Sequence, residues 1–98
     1  MKKSISNQSK IFDSTIRIQI LASLYTSPLT YSQLKKVCQC ADGAMTNHTN
    51  KLYEAGFIDV KKEFINKRPQ TTYLITDFGK KSFIEFVQLL NEALERKK

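Results

Sequence analysis

The hydrophobic period of this chain changes twice, and those two switch points limit what it can fold into. Up to Leu52 the apolar residues recur at three- and four-residue steps, the spacing of one helix face. After Gly56 they alternate every second residue, as on a half-buried strand, and from Asp77 the helical spacing returns. A chain of 98 residues with that order suits one domain. The fold class expected is mainly α with a small antiparallel β-hairpin set between helices.

Capping signals place the boundaries. From Ile11 to Tyr25 a broad stripe carries Ile16, Ile20 and Leu24 at four-residue steps, with Leu21 and Tyr25 beside them. Asp13 or Ser14 caps its start, and Ser27-Pro28 stops it, because the residue before proline avoids helical dihedrals. Thr30 followed by Gln33 is a capping box. It launches a short helix with Leu34, Val37 and Cys38 facing inward. Gln39 to Asp42 is a tight break. A third helix spans about 42–55 with Met45 and Leu52 inward, and Gly56 ends it at the C′ position. Two strands follow, Phe57–Phe64 and Thr71–Thr76. The first carries Ile58, Val60 and Phe64 on one face, broken at Lys62. Between the strands, Asn66-Lys67-Arg68-Pro69-Gln70 reads as a polar turn with Pro69 stiffening its tip. Thr76-Asp77 caps a last helix over about 77–95. Residues 1–10 hold Lys2, Lys3 and Lys10 and no acid, and read as a flexible basic arm ahead of a folded domain at 11–98.

Charge narrows the partners. Sixteen Lys plus Arg against nine Asp plus Glu give +7, which favours polyanions: nucleic acid first, an anionic membrane surface second. No stretch approaches the roughly 18–20 apolar residues of a membrane span, and the polar N-terminus lacks the apolar core of a secretory signal. The expectation is a cytoplasmic protein with no membrane partner. Cys38 and Cys40 lie one residue apart, too close to staple a fold, and read as thiols. Paired acids, a nucleophile with a base at motif spacing and a phosphate-binding glycine loop are all missing from the sequence, which argues against an enzyme. No cofactor or metal is expected. No small-molecule effector can be named.

A short helix, a tight turn and a second helix form a helix-turn-helix, and a basic hairpin directly after it is a wing. At this point the chain resembles the small winged-helix regulators of the MarR and ArsR kind, over roughly Asp13 to Leu94. The carriers are Arg17-Ile18-Gln19-Ile20-Leu21, Tyr31-Ser32-Gln33-Leu34, Asp42-Gly43-Ala44-Met45-Thr46-Asn47-His48, Leu52-Tyr53-Glu54-Ala55-Gly56-Phe57-Ile58, and Lys67-Arg68-Pro69-Gln70-Thr71-Thr72-Tyr73 followed by Leu74-Ile75-Thr76-Asp77-Phe78-Gly79. The resemblance implies a transcriptional regulator. Three positions depart from the family pattern. Ala41 stands where Ser or Thr caps the recognition helix, so that Asp42 takes over the cap or the first turn frays. Thr49 stands where Leu is usual, which weakens the core beneath that helix. Asn47 replaces a frequent Arg, which bears on base preference.

With the helix at 42–55 in the major groove of duplex DNA, Gly43, Ala44, Thr46, Asn47, Asn50 and Lys51 face outward. The small pair Gly43 and Ala44 permits close approach, and Asn47 and Asn50 match the donor and acceptor edge of adenine. Lys67 and Arg68 in the wing, 65–70, suit the minor groove. Ser32 and Gln33 suit phosphate at a helix N-terminus. His48 is expected to be structural or a phosphate contact. On the last helix Phe83, Phe86, Val87, Leu90 and Leu94 run near heptad spacing, more apolar surface than a monomer hides, so a two-fold homodimer is expected. Two rival readings stay open: a metal- or redox-responsive repressor acting through Cys38 and Cys40, and a winged-helix module for protein–protein interaction. Packing in the core is the expected role of both cysteines.

Overall fold

In a computed structural model of the chain, which describes residues 10–96, four helices pack with a three-stranded antiparallel sheet. The elements in order are α1 (Thr15–Thr26), β1 (Leu29–Thr30), α2 (Tyr31–Cys38), α3 (Asp42–Glu54), β2 (Ile58–Ile65), β3 (Arg68–Ile75) and α4 (Asp77–Arg96). The sheet order is β1-β3-β2. Nearly all of the basic arm expected at 1–10 lies outside the described residues.

The core draws on every helix and on the base of the sheet. Ile20, Leu21, Leu24, Leu34, Met45, Leu52, Phe57 and Ile58 are almost fully buried, with Ile11, Cys38 and Tyr73 at its margin. α1 starts at Thr15, where the Ser14 cap places it, four residues after the first apolar residue of the stripe. Ser14 is its N-cap, in extended conformation, and its Oγ accepts from the Arg17 N–H at 3.2 Å. Ile11 and Phe12 are apolar for another reason. Ile11 enters the core, and Phe12 stacks on Phe86 of α4 at 4.2 Å and meets Phe57 edge-on at 5.8 Å.

The capping box of α2 forms as read: Gln33 N–H donates to Thr30 Oγ1 at 3.2 Å, and Thr30 N–H donates to Gln33 Oε1 at 2.9 Å. Val37, expected inward, is 44% exposed, because α2 is only two turns long and Leu34 and Cys38 alone span its buried stripe. α3 ends in a Schellman motif. Gly56, at φ +82°, donates to Tyr53 O at 3.0 Å, and Phe57 N–H donates to Leu52 O at 2.9 Å. Thr76 then ties α4 to that corner. Its N–H and hydroxyl reach Phe57 O at 3.0 and 3.1 Å, and its Oγ1 accepts from Gly79 N–H at 2.9 Å.

Three sheet details differ from the sequence reading. β1, two residues long, pairs Leu29 with Tyr73 and Thr30 with Thr72, where no strand was expected. The hairpin turn is Asn66-Lys67 alone, both at positive φ (52° and 65°), the mark of a two-residue I′ turn. Pro69 therefore lies in β3 opposite Phe64 rather than at the tip. A two-residue turn makes the flanking pair, Ile65–Arg68, the hydrogen-bonded one. The Phe64–Pro69 pair then exchanges no backbone bonds, and the missing proline N–H costs nothing there. Phe64 shares the face of Ile58 and Val60, yet it lies beyond the reach of the helices and is 77% exposed.

A Cβ at Gly79 would fall on the Phe57 carbonyl oxygen, whereas one at Gly43 meets nothing within 4 Å. Gly79→Ala is expected to lower urea stability by about 1–3 kcal/mol, while Gly43→Ala raises it by a few tenths to about 1 kcal/mol. Equal effects at the two sites would contradict this packing.

Candidate nucleic-acid interface

α3 divides sharply into two faces. Met45, Thr49 and Leu52 are buried; Gly43, Ala44, Thr46, Asn47, Asn50 and Lys51 are exposed. Thr49, where a weakened core was expected, satisfies its own burial: its hydroxyl donates to Met45 O at 2.9 Å, with Thr46 O at 3.2 Å. Among the described residues no buried side-chain polar atom lacks a partner.

Three anchors set the direction of α3. Its N-cap is Ala41, with no side-chain cap bond. Asp42 does not take over that role, because its carboxylate is engaged elsewhere. Oδ1 accepts from Tyr31 Oη and from Lys35 Nζ, each at 2.8 Å, so the first turn of α3 is bound to α2 across the tight turn. The hydrogen bond from Lys35, then that from Tyr31, hold the Asp42 carboxyl below the usual range. The negative charge also sits favourably at a helix N-terminus. In the middle of α3, His48 Nδ1 accepts from Arg17 Nη1 at 3.2 Å. Arg17, 7% exposed, also donates from Nε to Ile11 O and from Nη2 to Lys10 O, both at 2.9 Å. The Schellman motif fixes the other end.

The exposed face of α3 has two edges. Thr46, Asn50 and Tyr53, one turn apart, look across a cleft of about 660 Å³ to Val60, Lys62 and Thr71 of the sheet, with Tyr31 at one end. Lys51 lies on the other edge, beside Arg17, Lys10 and Glu54. A second cleft of about 680 Å³ separates Thr30, Tyr31 and Ser32 from Asn66, Arg68, Pro69 and Gln70, which brings Ser32 close to the wing. Gln33 spends its Oε1 in the capping box. Lys67 and Arg68 are exposed at the hairpin tip. Strand alternation puts Arg68 with Ile65 on the face turned away from α3. Tyr31, Tyr53 and Phe64 were not singled out from the sequence. Tyr31 and Tyr53 are helical residues that line the cleft beside the sheet, and Phe64 stands on the outer half of the wing.

Cys38 is buried and Cys40 half-buried. Burial first, and the neighbouring Cys40 second, push the Cys38 thiol up, away from the reactive thiolate. Among the described residues no three His, Cys, Asp or Glu side chains are grouped to hold a metal ion. No helix is long and apolar enough to cross a membrane among those residues. On α4, Phe83 packs against the core and Phe86 stacks on Phe12, while Val87, Leu90 and Leu94 are exposed together with Ile84 and Leu89.

Comparison with known proteins agrees with this geometry. A family model described as a winged helix DNA-binding domain matches residues 16–94. An uncharacterized protein of Methanocaldococcus jannaschii is 37% identical over 79 residues, 80% of this chain and 86% of the relative. A transcriptional regulator homologue from Pyrococcus horikoshii superposes with a TM-score of 0.78 at 26% identity, covering 95% of this chain and 98% of that one. A homodimeric winged helix-turn-helix DNA-binding domain from Mycobacterium bovis superposes with a TM-score of 0.79 at 16% identity, covering 96% and 84%. Solved structures that share the fold include regulators of the ArsR and MarR families.

His48 is held below its ordinary value of 6.5, first by burial, then by the charges of Arg17 and Lys51. The unfolded chain therefore takes up a proton that the folded chain resists. Stability is complete above the ordinary histidine value and falls as pH drops below it. The urea midpoint should decrease between about pH 7.5 and about pH 5.5, and the decrease should shrink in His48→Gln, which keeps an acceptor for Arg17 but does not titrate. A wild-type midpoint that is flat over this range would contradict the Arg17–His48 contact.

Proposed function

The chain belongs to the winged helix DNA-binding domain family, and from that premise we propose that it is a cytoplasmic transcriptional regulator that binds duplex DNA as a homodimer. α3 enters the major groove and the β2–β3 wing lies at the adjacent minor groove. The observation that carries this reading is the outer face of α3. Gly43, Ala44, Thr46, Asn47 and Asn50 are all exposed, bear no charge and stand beside a cationic hairpin.

Each residue has a role in this reading. Gly43 and Ala44 keep the N-terminal turn slim, which lets the helix approach the groove floor. Asn47 and Asn50 offer paired donors and acceptors to adenine, and Thr46 touches a thymine methyl or a phosphate. Lys51, on the edge remote from the wing, suits a phosphate on the far side of the groove. Ser32 and the α2 N-terminus, with Gln33 Nε2, meet phosphate across the cleft from Arg68. Lys67 and Arg68 carry the wing into the negative potential of the minor groove.

The dimer reading rests on α4. Its exposed Val87, Leu90 and Leu94 continue the stripe begun by Phe83 and Phe86, whose rings are spent inside the chain. An apolar helix face left in water favours a second copy. The homodimeric Mycobacterium bovis domain, with the same fold, supports that arrangement.

The test is fluorescence anisotropy of a labelled A·T-rich duplex over a salt series. Affinity should fall steeply with salt, and Arg68→Ala should reduce the log–log slope by about one. Absence of binding at low salt would contradict the proposal and point to a protein partner instead.

A further inference from the structure

Phe64 is the most exposed large apolar side chain among the described residues, at 77%. Leaving a phenyl ring in water is unfavourable in proportion to its apolar area. Its position is also specific. Val60 and Lys62 line the cleft facing α3, and alternation along β2 puts Phe64 on that same face, one step nearer the tip. Arg68 lies on the opposite face. The wing therefore presents a ring on the side of α3 and a guanidinium on the other.

We propose that Phe64 is a DNA-contact residue, its ring set against the deoxyribose wall and base edges of the minor groove entered by the wing. This rests on the docking reading above and adds a residue to it. Three features support a duplex as the occupant. Lys62 lies one step along the same face and Lys67 and Arg68 stand at the tip, so the wing that bears the ring is cationic, which draws a polyanion and repels a second copy of the same wing. The walls of a minor groove are sugars, an apolar surface that a basic side chain alone does not use, and apolar wedges beside cations are a known means of holding that groove. The strand register also gives the ring a defined place. Phe64 and Pro69 form a non-hydrogen-bonded cross-strand pair, the closer of the two kinds, on the face turned towards α3.

The chain contains no tryptophan, so Phe64→Trp introduces a single indole reporter. With the A·T-rich duplex at low salt, acrylamide should quench that indole several-fold less in the complex than in the free protein. Phe64→Ala should bind the duplex about fivefold more weakly, with thermal midpoint and salt slope unchanged, since no ion is released by a phenyl ring. Phe64→Tyr should restore most of the affinity. An indole equally quenched in a duplex complex that anisotropy shows to be formed would overturn this proposal and leave the docking reading standing. Protection of the indole by raising protein concentration alone would assign the ring to a second copy, and would overturn it too. A wild-type chain that binds no duplex would overturn both.

Discussion

Arg17 is buried to 7% exposure and has no carboxylate partner among the described residues. A guanidinium in that position is costly unless its N–H groups find acceptors. The carbonyls of Lys10 and Ile11 and the Nδ1 of His48 supply them. Those acceptors come from two separate parts of the chain, the segment before α1 and the middle of α3. Satisfying one cation therefore fixes where α3 lies on α1, and it holds Ile11 in the core and Phe12 against Phe57 and Phe86. The Asp42 bridge to Tyr31 and Lys35 acts at the exposed surface, where ion pairs contribute about 0–1 kcal/mol. Its value is directional: it aims the first turn of α3. The apolar core supplies most of the cohesion.

The same constraints explain why the interface stands where it does. A core built from Ile20, Leu21, Leu24, Leu34, Met45, Leu52, Phe57 and Ile58 uses one side of α1, α2 and α3 and only the base of the hairpin. The other side of α3 and the outer half of the wing are left free. β1 supports β3 only at Thr72 and Tyr73, so the hairpin beyond Lys61 projects without a third strand. Its outer half is held by cross-strand pairs and a two-residue turn. Under the proposed docking, a rigid helix and a projecting hairpin hold the two sides of one phosphodiester strand, and the cleft of about 660 Å³ between them is where that strand would run.

Elements marked by local rules were legible in the sequence. The Thr30–Gln33 box, the Gly56 terminus, the Thr76 cap and the outer face of α3 each follow from chemistry within four residues, and all appear in the structure. What depends on distant partners was not legible. Ile11 and Phe12 precede the Ser14 cap, and no rule within four residues shows that one enters the core and the other stacks on Phe86. β1 is too short to show a period. Pro69 looked like a turn residue because only the register reveals a pair that needs no N–H. Asp42 looked like a cap, and Thr49 like a flaw in the core. One is spent on α2 and the other bonds back to its own helix. Phe64 was placed on one face with Ile58 and Val60, and its exposure was not legible because alternation reports a face but not where the covering helices end.

In the proposed function, α3 and the wing read duplex DNA as a two-fold pair. A hydroxyl-radical footprint on a duplex selected for tight binding tests it most directly. A two-fold pair on DNA should give two symmetric sets of protected sugars, with their centres about 10 base pairs apart, one helical turn. A single protected set, or uniform cleavage in a complex known to be formed, would contradict it.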